Sequence, residues 1–272
     1  MKNQYEDMVV IFVDLLGTKN NENFDDKLFI HQLFHGEAQI NATRNKEHVI
    51  YERKVYSFSD CAYFFYYYKD GIAKARKNNM RLLQVAMSNT SISLLRILNA
   101  GYLVRGGITF GKAYLDELGF FGPAVEKAYS LENSYSDVPM LALSHELGEE
   151  FYEWEERNTD IEAIQLLFTD VVKLVEKDGD KYFLNLFFQL EQFSESLFLE
   201  NEVLNIEKIK HNVMQTIRRD KEKYKNQSVS TEKKKATIYE KLDWFEKYMQ
   251  GKHNHLKPEF AEGAVSTLYQ IF

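Results

Sequence analysis

The apolar positions of this chain change period from one segment to the next, and the changes mark out its elements. "MVVIFVDLLG" is a nearly unbroken apolar run, rich in β-branched residues and stopped by Gly17, which predicts a short buried strand. In "NFDDKLFIHQLF" the residues Phe24, Leu28, Leu33 and Phe34 follow helical spacing, with Asn23 as the cap. "HVIYERKVYSFS" and "CAYFFYYY" predict two strands joined by a tight turn near Ser59 and Asp60. "ARKNNMRLLQVAMSNTSISLLRILNAG" predicts a long helix closed by Gly101. "YLVRGGITFGKAYL" returns to strand, its glycines marking bends or close backbone approach. "GPAVEKAYSLEN" predicts a helix with proline in its first turn, and "VPMLALS" a last strand. This order predicts an α+β fold: a ferredoxin-like split arrangement, with an antiparallel sheet and helices on one face.

The pattern changes after about residue 145. "ELGEEFYEWEERN" is helical, and "VVKLVEKDGDKYFLNLFF" predicts a hairpin turning at Asp178 and Gly179. "VLNIEKIKHNVMQTIRRDKEKYK" and "EKKKATIYEKLDWFEKYMQ" predict amphipathic helices, with the polar "KNQSVSTEKKK" as an exposed connection. Residues 1–145 are therefore expected to form one unit, and 146–272 a mainly helical extension with one hairpin, packed on it.

Composition adds limits. The chain has 272 residues, a formal net charge of −7, a 44% hydrophobic share and 3 prolines, which suits a packed core and disfavours low-complexity tracts. The single cysteine, Cys61, cannot form an internal disulfide and fits a reducing compartment. The first residues lack the basic start and cleavage site of a signal peptide, and no run reaches the length of a membrane span, so a soluble cytoplasmic protein is expected. The acidic balance disfavours a binder of nucleic-acid duplex, while a polyanionic small molecule stays open if cations are placed locally.

Candidate chemistry begins with two aspartates. Asp14 ends the first strand and Asp60 stands at the turn between the next two. In a split βαβ sheet those strands can lie side by side and bring both carboxylates to one sheet edge. Two such charges about 4 Å apart repel by about 4 kcal/mol at an effective dielectric of roughly 20. A divalent cation reverses that penalty, and hard oxygen ligands suit Mg²⁺ or Mn²⁺. Each aspartate alone also reads as an ordinary strand-end or turn residue; the pair is what points to a cation. Gly17, Thr18 and Lys19 form a turn towards a helix, a type of turn that presents backbone N–H groups, a hydroxyl and a charge to phosphate. Arg105 sits mid-strand among apolar neighbours, where it must either pair with Asp14 or Asp60 or meet a phosphate. His253 and His255 in "GKHNHLKP" read as a surface loop with no nearby Cys or acid to complete a metal site, and Cys61 as a small core residue. The aromatics from Tyr63 to Tyr68 are expected to alternate between the core and a dimer face.

Four motifs in order, "FVDLLG", "SDC", "RGGITFG" and "GPAVEKAYSLE", resemble the class III nucleotide cyclase catalytic domain over about residues 7 to 145. The resemblance implies that Asp14 and Asp60, with Leu15 among the metal-contacting residues, hold two divalent cations, Mg²⁺ or Mn²⁺. It also implies that Arg105 contacts the triphosphate, that the Gly17–Thr18 turn cradles it with Lys19 adjacent, and that a homodimer completes each site across its interface.

Departures narrow the family reading. Tyr56 stands four residues before Asp60, where purine cyclases carry a base-reading lysine, and the second base-reading position falls near Gly119 in a shortened "DELGFFG". Glu126 replaces the helix asparagine and Ser130 the transition-state arginine. This set resembles the Pycsar pyrimidine cyclases of bacterial antiphage defence, which make cyclic UMP or cyclic CMP for a separately encoded effector. Tyr56 is then expected to shrink the base pocket to one ring and read its edge. The alternatives are a catalytically inactive cyclase-like nucleotide-binding or dimerisation module, and a purine cyclase or palm-like nucleotidyl transferase.

Overall fold

The computed structural model describes residues 4–18, 22–44, 49–134, 138–193, 196–199, 202–226 and 232–261. The elements in chain order are β1 (Glu6–Leu16), α1 (Phe24–Arg44), β2 (Tyr51–Phe58), β3 (Cys61–Tyr68), α2 (Asn79–Asn99), β4 (Leu103–Leu115), β5 (Phe120–Phe121), α3 (Pro123–Ser134) and β6 (Leu141–Leu143). There follow α4 (His145–Asn158), α5 (Ile161–Leu167), β7 (Val175–Asp178), β8 (Lys181–Leu184), α6 (Phe188–Gln192), β9 (Ser196–Leu199), β10 (Glu202–Asn205), α7 (Ile206–Asn226), α8 (Glu232–Gln250) and α9 (Pro258–Ala261). The fold is α+β. Its main sheet has the order β2-β3-β1-β4-β6-β8-β7, with β5 on β4, and β9 and β10 form a separate pair. No helix among the described residues is long and apolar enough to cross a membrane.

Two expectations about the sheet are corrected. It is mixed rather than antiparallel, because β6 runs parallel to β4. A strand, a helix and an adjacent strand form a crossover unit, and only a parallel pair lets α3 return across the sheet between them. Nor do the helices share one face. Strand alternation sends Val9, Ile11, Val13 and Leu15 into the core that also holds buried residues of α1 and α2. Met8, Val10 and Phe12 point the other way, into a second core under α3. Phe64 and Tyr66 join the first core and Phe65 the second, so β3 is buried on both sides.

Local chemistry moves several boundaries. Asn23 caps α1, its Oδ1 accepting the Asp26 N–H at 3.1 Å, but Phe24 and Leu28 are exposed and the buried stripe is Ile30, Leu33 and Phe34. The helix expected from Ala75 starts at Asn79, because Asn78 caps it by accepting from the Arg81 N–H at 3.0 Å. The helix expected from Val203 starts at Ile206, with the Asn205 side chain accepting the Lys208 N–H at 2.8 Å. The residues just before it are instead strand β10. The centre of the expected connection "KNQSVSTEKKK", residues 227–231, lies outside the described residues.

The chain beyond residue 145 extends the same sheet. Strand β8 pairs with β6, β7 pairs with β8, and Ile209, Val213, Ile217, Phe245 and Met249 of α7 and α8 enter the first core. Glu155 of α4 is buried where this layer meets β7, accepting from the N–H groups of Leu174 and Val175 at 2.8 and 3.4 Å. Burial outweighs those hydrogen bonds and nearby Lys173, and pushes its carboxyl from 4.5 up to about 7. A carboxyl raised in the folded state supports the fold while protonated. That contribution is complete below the unfolded value and is lost as pH rises through about 7. The span corresponds to about 3 kcal/mol. Glu155→Gln is therefore expected to flatten the decline in urea midpoint between about pH 5 and pH 8; an unchanged decline contradicts the assignment.

Candidate active site

The candidate site lies where β1 ends, the β2–β3 hairpin turns and β4 begins. Asp14 pairs in register with Cys61 of β3 on one side and Arg105 of β4 on the other. The Leu15 N–H donates to the Asp60 carbonyl at 3.0 Å, locking the Ser59–Asp60 turn to the end of β1. Ser59 takes a positive φ of 57°, so the hairpin reverses within two residues and carries Asp60 at its tip. Asp14 and Asp60 thus come from adjoining positions, as the strand order requires.

Arg105 meets carboxylates. Its Nε and Nη2 donate to Asp14 Oδ2 at 3.1 and 2.9 Å, and Nε stands 2.6 Å from Glu132 Oε1. Glu132 was not singled out by the sequence. It occupies the buried face of α3, one turn beyond Ala128 and two beyond Val125, and an acid on that apolar stripe was the available signal. Gly107 makes the contact possible: a Cβ there would lie 2.2 Å from the Ala128 carbonyl oxygen and 2.7 Å from Leu131 Cβ. The missing side chain lets α3 settle on β4, where the Thr109 hydroxyl also donates to the Ala124 carbonyl at 3.0 Å.

Thr18 is buried and turned inward. Its hydroxyl makes a short hydrogen bond to Asp60 Oδ2 and stands 3.2 Å from the Leu15 carbonyl. Gly17 supplies the turn with φ +84°, a conformation suited to glycine. Lys19 lies outside the described residues. A cation the sequence reading did not single out, Lys27 of α1, donates to the Ser59 hydroxyl at 3.1 Å.

The two aspartates differ electrostatically. Burial raises the Asp14 carboxyl, Arg105 offsets part of that, and the neighbouring Asp60 charge adds to it. Burial would also raise Asp60, but hydrogen bonds from Thr18, its own backbone and Ser59, together with Lys27, hold it below the usual carboxylate value. Asp14, Asp60 and Glu132 gather around Arg105, with Lys27 acting on Asp60 and Lys241 on Glu132. Two carboxylates on adjoining backbone positions and the Leu15 carbonyl form a hard-oxygen donor set that fits a divalent cation. Among the described residues no three His, Cys, Asp or Glu side chains gather as a metal cluster.

Tyr56 lies on the same sheet face. It pairs in register with Tyr63, whose ring is 4.8 Å from that of Phe12, two residues before Asp14. Its ring packs 5.1 Å from Phe120, and its hydroxyl donates a short hydrogen bond to the Asp116 carbonyl. Tyr56 and the turn at Gly119 are therefore brought together, Asp116 Oδ1 accepting from the N–H groups of Leu118 and Gly119 at 2.8 and 3.1 Å. Glu126 and Ser130 are not brought to this site: both lie on the exposed side of α3, beside Tyr129.

Cys61 is half-buried, its thiol raised by burial and by Asp14 and Asp60, which does not suit a nucleophile. His253 and His255 lie together on the surface, and an acid is present after all, with Asp170 3.1 Å from His255.

No protein-family model matches the chain, and a search of curated proteins gives no match.

Proposed function

We propose that the protein is a nucleotide cyclase of the class III type, which converts a pyrimidine nucleoside triphosphate, UTP or CTP, to its 3′,5′-cyclic monophosphate and pyrophosphate. The observation that supports this most is the meeting of Asp14, Asp60 and Arg105 at one end of the sheet, on the face that carries Tyr56. In the reaction the ribose O3′–Pα bond forms, the bond from Pα to the bridging oxygen of the β-phosphate breaks, and pyrophosphate leaves with that electron pair. The 3′-hydroxyl proton passes to solvent.

Asp14 and Asp60, with the Leu15 carbonyl, are the groups that would hold two divalent cations, Mg²⁺ or Mn²⁺. Bound there, the cations supply Lewis-acid stabilisation of charge on the phosphate oxygens. The chain's own groups do the placing. Thr18 holds Asp60 ionised and oriented, and Glu132 keeps Arg105 at the strand end, where one guanidinium edge can turn from Asp14 to a phosphate oxygen. Backbone N–H groups near Gly17 can donate to oxygens of the triphosphate. Tyr56 and the Asp116–Gly119 turn would border the base, with the tyrosine hydroxyl exchanging the Asp116 carbonyl for a base edge. Glu126 and Ser130, exposed on α3, would act only across a homodimer interface. The product would serve as an antiphage second messenger for a separate effector in the cytoplasm.

One observation favours a second reading, a catalytically silent nucleotide-binding module: Arg105 is already held by two carboxylates. Incubation with each of the four nucleoside triphosphates and Mn²⁺ or Mg²⁺ separates the two. A cyclic pyrimidine monophosphate in the mass spectrum supports the cyclase, whereas binding without any cyclic product supports the silent module. Tyr56→Ala is expected to lower the pyrimidine-over-purine ratio of kcat/KM by roughly tenfold or more; an unchanged ratio removes Tyr56 from base recognition.

A further inference from the structure

The chain between α8 and α9 carries two histidines that the strand-end site does not use, His253 and His255. Their rings lie side by side, centroids 4.1 Å apart and planes at 45°. Backbone bonds to two neighbouring stretches hold the segment in place. The His255 N–H donates to the Glu191 carbonyl at 3.0 Å, and its carbonyl accepts from the Thr169 N–H at 2.8 Å. Leu256 adds an antiparallel bridge to Phe168. His253 is exposed, whereas the His255 side chain keeps only 11% of its surface open.

Hydrogen bonding fixes which nitrogen of each ring carries the proton. His253 Nδ1 stands 3.0 Å from the Gly251 carbonyl oxygen, which can only accept, so Nδ1 is the donor. His255 Nδ1 stands 3.1 Å from Asp170 Oδ2, and an ionised carboxylate also only accepts. In the neutral rings both Nε2 atoms therefore carry the lone pair. A backbone carbonyl or a carboxylate behind the other nitrogen is the support that metal-bound histidines ordinarily have. The flanking lysines are engaged elsewhere. Buried Lys252 meets Glu176 and Glu191, and Lys257 donates to the carbonyls of Gln165 and Leu166.

We propose that His253 and His255 bind one late first-row divalent cation, of the Zn²⁺ class, through their Nε2 atoms, with Asp170 and the Gly251 carbonyl supporting the rings. Imidazole suits such cations, and two rings bonded at about 2.0–2.1 Å can share one of them at the observed spacing. Asp170 stands behind the far nitrogen of His255 rather than beside the cation. This agrees with the finding that no three such side chains gather as a metal cluster among the described residues. The site is distinct in place and in donor chemistry from Asp14 and Asp60, and it does not depend on the cyclase reading.

Calorimetric titration of the whole chain with Zn²⁺, in millimolar Mg²⁺ to occupy hard-oxygen sites, tests the proposal. One equivalent is expected to bind in the micromolar range. His253→Gln, a change at an exposed ring, should weaken binding by roughly tenfold or more and leave the melting temperature of the metal-free protein unchanged. Asp170→Asn should weaken it by roughly tenfold. His31→Gln is the matched control, because His31 and His35 form another neighbouring pair with rings 4.5 Å apart, and it should leave binding unchanged. Imidazole nitrogen NMR should place the Zn²⁺-dependent shifts at Nε2 of both rings, with Nδ1 still protonated. No stoichiometric binding, undiminished binding by His253→Gln, loss of binding in His31→Gln, or ligation through Nδ1 would each overturn the proposal.

Discussion

Asp60→Ala is expected to remove cyclising turnover while the protein stays folded. Asp60 sits at a two-residue turn, and its side chain accepts one hydrogen bond from a neighbouring element, the Thr18 hydroxyl. Losing that bond costs about 1 kcal/mol, too little to unfold a domain of this size. The catalytic effect should be far larger. Without Asp60 one of two carboxylates that would hold the cations is gone, and a fall of roughly a thousandfold or more in kcat is expected. A steady-state assay with a circular dichroism melt on the same sample checks both halves. Turnover within a few-fold of the parent would remove Asp60 from the site.

The second large effect is structural. In Gly107→Ala the new methyl would stand 2.2 Å from the Ala128 carbonyl oxygen, a backbone atom that cannot move without α3. The helix must lift from β4, which strains the core under it and withdraws Glu132 from Arg105. A loss of about 3 kcal/mol is expected, at the upper end for overpacking. Gly111→Ala is the matched control, because its methyl would meet Ala124 Cβ at an ordinary 3.6 Å. Urea midpoints should fall sharply for the first variant and change little for the second. Equal midpoints would show that α3 is not seated on Gly107.

What the sequence displayed and what it hid follow from how far apart the cooperating residues are. Strand β1, the β2–β3 turn and the cap of α1 are local features, written in apolar runs, in Ser59–Asp60 and in Asn23, and these appear in the structure. The neighbourhood of Asp14, Asp60 and Arg105 follows from strand order alone, once β1 lies between β3 and β4. Glu132 was missed because its importance depends on which face of α3 meets the sheet, a matter settled by Gly107 one strand away. The parallel β4–β6 pair was also missed, although a helix between two adjacent strands implies it. The second face of the sheet went unseen for a related reason: β1 is apolar at nearly every position, so its pattern shows burial without showing that two cores share it. The short strands β9 and β10 gave no lasting alternation, and only the Asn205 cap separates β10 from α7.

The most direct measurement of the central claim is the product balance of purified wild-type protein given UTP or CTP with Mn²⁺, read by mass spectrometry for the nucleotide and by a pyrophosphate assay for the leaving group. A 3′,5′-cyclic pyrimidine monophosphate and pyrophosphate in equal amounts, both absent with Asp60→Ala, is the predicted result. Nucleoside diphosphate with inorganic phosphate, or no product from any of the four triphosphates, would contradict it.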